Sequence, residues 1–430
     1  MTTAQVGYEP VYRWVKPILG RTHTTVVVTV VWAVLCLLVA QRATPAALAR
    51  ALPAEHAGSG RSCLRRVRRW WCGPPLDQTI ISPALIPLAL TLLGADQPVV
   101  VALDTTRLGG WAVWMAGLVV AGRTLPLGWA VLPSPWPKGQ FRSTTLRLLQ
   151  RLQSAFPPGS RGSLVTDRGV PSAGLCAQLR QAGTGFSVRL RLRDWGTVAG
   201  VSAMVVEHLA AGRLVVGQRT AAARGRGRPE QPLGPGWVVV SAGVAALPQH
   251  QQNPGPVRER AKRAKAQAQH RAHKQGRKTK PPSAAAQRYA QTWVLFTTAP
   301  TVEQAVAAYA QRMSMEETFR DWQSGWGVRA AVVNLPTAAL VDRLIGMVCL
   351  TYHLQMHIGQ RVSTDPVGQQ RRVQGTVTDR VSWFWCGQRL FDDPGYEWSG
   401  WLAQQWKSLR QLGATAQATL VSEPVLEKAA

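Results

Sequence analysis

The sequence predicts an α/β fold: a mixed sheet starting near residue 96, interrupted by a β-rich insertion and preceded by an all-α, basic segment. Three observations carry this. A continuous apolar run, PVVVALD, ends on Asp104 and is followed by two more runs of strand character. Amphipathic helices and short strands then alternate up to about Trp195, and after a break the alternation resumes at TWVLFTT.

Residues 1–95 read as helical. The uncharged run TTVVVTVVWAVLCLLVA covers Thr24 to Ala40, 17 residues, where a span of hydrocarbon needs about 20. It lies behind several charges, unlike a simple signal peptide. A buried helix and no membrane are the expectation. Next come QRATPAALARALP, a Gly58-Ser59-Gly60 break, and RSCLRRVRRWWC. Helix, break and Arg-rich helix suit a helix-turn-helix-like DNA-binding domain, with Arg65, Arg66, Arg68 and Arg69 on the second helix; any basic helical hairpin looks similar. SPALIPLALTLLG is a linking helix.

Residues 96–194 form the first part of the core. PVVVALD is a central strand with Asp104 at its carboxyl end, and WAVWMAGLVVAG and RTLPLGWAVL continue it as an antiparallel meander turning near Gly122. FRSTTLRLLQRLQSAF is a helix, SLVTDRG a short strand ending on Asp167, PSAGLCAQLRQAG a helix and FSVRLRLR a strand. Each aspartate taken singly also fits an ordinary turn cap.

Residues 195–290 read as the insertion, with RLVVGQR and GWVVVSAGVAAL as its apolar runs. It closes in an arm at 258–280 holding ten Lys/Arg and one acid, with no apolar face to bury and suited to phosphates. Residues 291–360 resume the core. Thr301 is a helix N-cap with Gln304 three residues on, and one long helix runs through YAQRMSMEETFRDWQ, packed against TAALVDRLIGMVCLTYHLQMHI. Residues 361–430, basic and then aromatic, form the candidate dimerisation region.

At about 100° per residue, Tyr309, Arg312, Glu316 and Gln323 fall within roughly 60° on a helical wheel, while Glu317 points elsewhere. A plain solvated face has the same look. The two aspartates decide between the readings. Acids on the first and fourth strands and on a helix returning after an insertion gather three carboxylates at one end of a mixed sheet. Such a group repels itself unless it holds hard divalent cations, Mg²⁺ or Mn²⁺.

Composition points the same way. With 50 Lys+Arg against 22 Asp+Glu, the net charge is +28. That excess makes nucleic acid the default partner and an acidic membrane surface the runner-up. The six cysteines are scattered, without a C-x-x-C pair or His at zinc spacing, as for reduced core thiols in a cytoplasmic protein.

In D-T-T at Asp104, T-D-R-G at Asp167 and Tyr309-x2-Arg312-x3-Glu316, the chain resembles DDE transposases of the insertion-sequence-4-like group, over roughly residues 95 to 350. Asp104 and Asp167 stand 63 positions apart, and Asp167 and Glu316 149 apart. Two positions depart from the pattern: Gln323 stands where the family carries Lys, and Val170 where it carries an aromatic.

The resemblance implies a ribonuclease-H-like core in which Asp104, Asp167 and Glu316 are catalytic and hold two Mg²⁺ (or Mn²⁺) ions. Water attacks one strand at the element end, and the freed 3′-OH attacks again, through a hairpin and finally into target DNA. Tyr309, Arg312, Gln323 and Arg168 are expected to touch DNA near the cleaved end. Arg258, Arg260, Lys262, Arg263, Lys265, Lys274, Arg277, Lys278 and Lys280 would supply backbone affinity. Trp237 offers a face for a flipped base, or packs in the core. Implied partners are double-stranded DNA, as terminal inverted repeats and target, and a second copy of the chain when two ends are synapsed. The implied location is the nucleoid of a bacterial cytoplasm. Two other readings share these residues: a metal-dependent nuclease without strand transfer, and a catalytically inactive DNA-binding relic.

Overall fold

The computed structural model describes residues 7–20, 22–53, 58–73, 76, 78–94, 97–137, 140–156, 162–167, 173–191, 194–223, 235–241, 293–333, 335–364 and 382–392. In chain order the elements begin with helices α1 (Tyr8–Leu19), α2 (Thr24–Ala40), α3 (Pro45–Arg50), α4 (Gly60–Trp71) and α5 (Gln78–Leu93). Then come β1 (Val99–Leu108), β2 (Trp111–Val120), β3 (Arg123–Pro133), α6 (Gln140–Ala155), β4 (Gly162–Thr166), α7 (Ala173–Gln181) and β5 (Gly185–Arg189). β6 (Trp195–Val198), β7 (Val201–Met204), α8 (Val205–Ala210), β8 (Arg219–Ala223), β9 (Pro235–Ser241) and β10 (Trp293–Thr297) follow. The chain closes with α9 (Val302–Ala310), α10 (Met313–Arg320), a π turn (Asp321–Gly325), α11 (Val328–Val332), α12 (Ala338–Thr364) and α13 (Trp383–Asp392). The class is α/β with a mixed arrangement of strands and helices.

Two compact units divide the chain, Met1–Leu164 with Gln311–Ala430, and Val165–Ala310. In the first, the strand order is β3-β2-β1. β1, β2 and β3 are an antiparallel meander. Its second turn, Ala121-Gly122, has positive φ at both residues, the twist that suits a two-residue hairpin. β1 runs past Asp104 as far as Leu108, so Asp104 lies mid-strand opposite Met115. The apolar run ends at Leu103, but β2 supplies ladder partners for the polar residues beyond it. Between Ala116 and Gly117 the register with β3 shifts. A Cβ on Gly117 would stand 2.4 Å from the Leu125 carbonyl oxygen, so only glycine fits the bulge.

Residues 1–95, expected as a domain of their own, share this unit and its core: α5 packs on β2 and β3, and α12 on α2, α4, α5 and β3. α2 is buried along most of its length, and tertiary packing makes a helix of its β-branched residues. Among the described residues no helix is long and apolar enough to cross a membrane. Gln41, in the left-handed region with φ 48, ends α2. Its amide donates to the Leu38 carbonyl and to Gln355 Oε1 and accepts from Trp326 Nε1. These buried hydrogen bonds offset the backbone strain.

In the second unit the order is β5-β10-β9-β8-β6-β7, antiparallel throughout. The β-rich insertion is therefore built onto β10 and extends its sheet. Of RLVVGQR only Arg219 enters a strand, while Val215 and Val216 are exposed. α9 covers this sheet through Ala305, Val306 and Tyr309, packed with Val239, Trp293 and Leu295.

The expected long helix is interrupted. α9 ends at Ala310, α10 begins at Met313, and the last turn widens to π at Asp321–Gly325. Arg312 and Glu316 keep the expected i,i+4 relation, while Tyr309 belongs to α9 and Gln323 to the π turn.

Candidate functional site

In the first unit Arg312 joins two of the expected acids. Its Nη1 donates to Asp104 Oδ2 at 2.6 Å and its Nη2 to Glu316 Oε1 at 2.9 Å. Local structure explains the convergence. Arg312 is the N-cap residue of α10 and Glu316 lies one turn on, at the i,i+4 spacing where helix side chains meet. Asp104 is offered by β1 and steadied by the Thr105 amide, which donates to Oδ1 at 2.8 Å. The Arg312 side chain is 8% exposed, against 19% for that of Asp104 and 31% for that of Glu316. Glu317 instead accepts from Arg320 Nη1, so the two adjacent glutamates have different partners, as the wheel predicts.

Gln323, in the π turn, donates from Nε2 to Thr106 Oγ1 at 2.5 Å. The turn is anchored by Asp321, 2% exposed, whose Oδ2 accepts from Arg123 Nε at 2.7 Å and from the Tyr352 hydroxyl at 3.0 Å. Burial pushes the Asp321 carboxyl above the usual carboxylate range, and Arg123 and then Tyr352 oppose part of that rise. Thr318 ties α10 to β3, accepting from the Thr124 amide at 2.8 Å. Sequence reading missed the pairing of Asp321 with Arg123 because 198 positions separate them, and Asp321, although within YAQRMSMEETFRDWQ, is not among the residues that carry its spacing.

In the second unit the Tyr309 hydroxyl donates to Asp167 Oδ1 at 3.3 Å. Asp167 directly follows β4, as expected. Tyr309 is 1% exposed, edge-on to Trp293, so it reaches the acid from within the core. Trp237, considered as a base-stacking residue, has the Arg219 guanidinium 3.8 Å from its ring centroid, which covers one face.

Arg65, Arg66, Arg68 and Arg69 are exposed on α4, and the opposite face buries Cys63, Val67, Trp70 and Trp71. Arg168, Val170 and the arm carrying Arg258, Arg260, Lys262, Arg263, Lys265, Lys274, Arg277, Lys278 and Lys280 lie outside the described residues. Cysteines 36, 63, 72, 176, 349 and 386 are all free thiols. Among the described residues no three His, Cys, Asp or Glu side chains stand together at metal-binding range. Asp104 and Glu316 are a hard-oxygen pair converging on one cation, a donor set that fits Mg²⁺ or Mn²⁺. No family model matches this chain, and no curated protein matches it in sequence.

Proposed function

We propose that the chain is a DDE transposase with a ribonuclease-H-like core, cutting DNA at the ends of an insertion sequence and joining the freed 3′-OH to a target. The observation that carries this reading is the convergence of Asp104 and Glu316 on Arg312, which lies 208 positions from Asp104 in sequence. The antiparallel order β3-β2-β1 in one unit and, in the other, the strands β6 to β9 inserted between β5 and β10 ahead of α9 support it. So does the net charge of +28, which favours a polyanionic partner.

Asp104 and Glu316, with Asp167 as the third donor, would hold the two divalent ions, which supply activation of the attacking oxygen and charge stabilisation at the leaving one. In the first reaction a water oxygen bonds to phosphorus and the P–O3′ bond breaks, leaving a 3′-OH and a 5′-phosphate. In the second that 3′-oxygen bonds to a phosphorus of another strand, whose own P–O3′ bond breaks. Arg312 would clamp a phosphate through two N–H donors. Tyr309 is a positioning residue, fixing the Asp167 carboxylate. The exposed arginines of α4 would grip the DNA backbone without reading sequence.

Short inverted repeats bordered by a direct duplication around the gene are the expected context. The direct test incubates the protein with labelled DNA carrying those ends and Mg²⁺. Wild type and Glu317→Ala should cut; Asp104→Ala and Glu316→Ala should not. Wild-type cutting by both latter variants would overturn the site. Cutting without joined product would favour a nuclease. Binding of the ends without cutting would favour the inactive relic, the reading that Gln323 in place of the family lysine supports.

A further inference from the structure

Arg312 occupies the place where two acids meet, and that has a consequence for how the site is loaded. We propose that Arg312 is an internal counter-ion that competes with divalent cations for Asp104 and Glu316, so that metal loading releases its guanidinium for a DNA phosphate. The inference rests on the reading of these two acids as metal-holding residues.

Two carboxylates sharing one partner repel each other, and at 2.6 and 2.9 Å the guanidinium compensates both at once. With the arginine side chain 8% exposed, solvent screens these interactions less than at an open surface. Asp104 Oδ1 already accepts from the Thr105 amide, and Oδ2 faces Arg312. A dication taking both carboxylates through these oxygens must therefore displace the guanidinium. A freed guanidinium, next to a neutralised acid pair, is a bidentate phosphate donor. Because coupling between ligands is reciprocal, DNA that takes Arg312 away from the acids tightens metal binding as well. The same contact thus protects the acid pair from mutual repulsion before loading and links metal to DNA afterwards.

The test is calorimetric titration of Mn²⁺ into the full chain without DNA, for wild type, Arg312→Gln, Arg312→Lys and Asp104→Asn, with folding of each checked by circular dichroism. Removing the competing charge should tighten Mn²⁺ binding about tenfold or more in Arg312→Gln, about 1.4 kcal/mol per factor of ten. Arg312→Lys keeps the charge but loses the fork, and should bind Mn²⁺ about threefold tighter than wild type. It carries the test alone should the Gln variant fail to fold. Mn²⁺ binding in the Arg312 variants equal to or weaker than wild type, with Asp104→Asn defective, would overturn the counter-ion role and leave the metal reading standing. Undiminished binding in Asp104→Asn, or none in wild type, would overturn the metal reading and this inference with it.

Discussion

Arg123, the first residue of β3, donates from Nε to Asp321 Oδ2 at 2.7 Å. This pair fastens the π turn that follows α10 to the meander carrying Asp104. Replacing Arg123 by Met would leave a carboxylate that is 2% exposed without its cation, a loss of about 3–5 kcal/mol. Urea unfolding should show the midpoint falling with the slope unchanged. A change within about 0.5 kcal/mol would mean the pair is dispensable.

His353 and His357 are buried on α12. His353 Nε2 donates to the Pro126 carbonyl at 2.7 Å. Burial lowers both imidazoles from an ordinary 6.5, to about 4 and about 3. Between those values and 6.5 the unfolded chain holds protons that the folded chain does not, so stability is lost as pH falls through that window. The combined effect is on the order of several kcal/mol. Unfolding free energy measured from pH 7 to pH 4.5 should decline, and His357→Asn should flatten the decline.

Asp342 acts in the opposite sense. Burial raises its carboxyl from 3.8 to about 6, although Trp129, Gln78 and then Arg151 oppose the rise. The folded chain therefore holds this proton more tightly, and the residue costs stability as pH rises through that window. One such group offsets only part of the loss from two histidines. Asp342→Asn keeps the acceptor for Trp129 Nε1 and Gln78 Nε2. It should raise the melting temperature at pH 8 by a few degrees, roughly 1 kcal/mol after allowing for partial exposure. At pH 5, between the two values, the gain should be roughly halved, and below 3.8 it should vanish; an equal gain at every pH would place its cause outside titration.

Gly359 of α12 meets α13 closely enough that a Cβ would stand 1.7 Å from the Trp383 carbonyl oxygen. Gly387 of α13 is likewise tight, with a Cβ 2.6 Å from the Gln355 carbonyl oxygen. Gly359→Ala must push the helices apart, at a cost of about 2 kcal/mol or more, since backbone cannot yield as a side chain does. Proteolysis should then cut near α13 faster than in wild type, and unchanged protection would contradict the contact.

Much of the element order was legible because apolar runs and helical periodicity report burial directly: the meander, α6, β4 with Asp167 after it, and β10 all stand where those patterns place them. The extension of β1 through Asp104-Thr-Thr-Arg was not, since a polar segment becomes strand only when a neighbour offers a ladder. Nor was the break at Gln311-Arg312. Its residues carry no glycine or proline to signal it. The acids and the arginine of the candidate site were legible one by one, but their partners were not. Tyr309 reached Asp167, Arg312 reached Asp104 and Glu316, and Gln323 reached Thr106, four contacts of which the wheel anticipated only Arg312 with Glu316.

What the sequence by itself determined is the class of fold, the excess of positive charge, and which acids stand at strands and helix in the order Asp104, Asp167, Glu316. Those depend on local pattern and on composition, which a linear string carries in full. Tertiary structure alone decided that residues 1–95 share a core with the first three strands, that Asp321 is answered by Arg123, and that one guanidinium holds Asp104 and Glu316 together. Hydrogen bonds and ion pairs between residues some two hundred positions apart leave no period in a sequence, because their geometry exists only once the elements between them have packed.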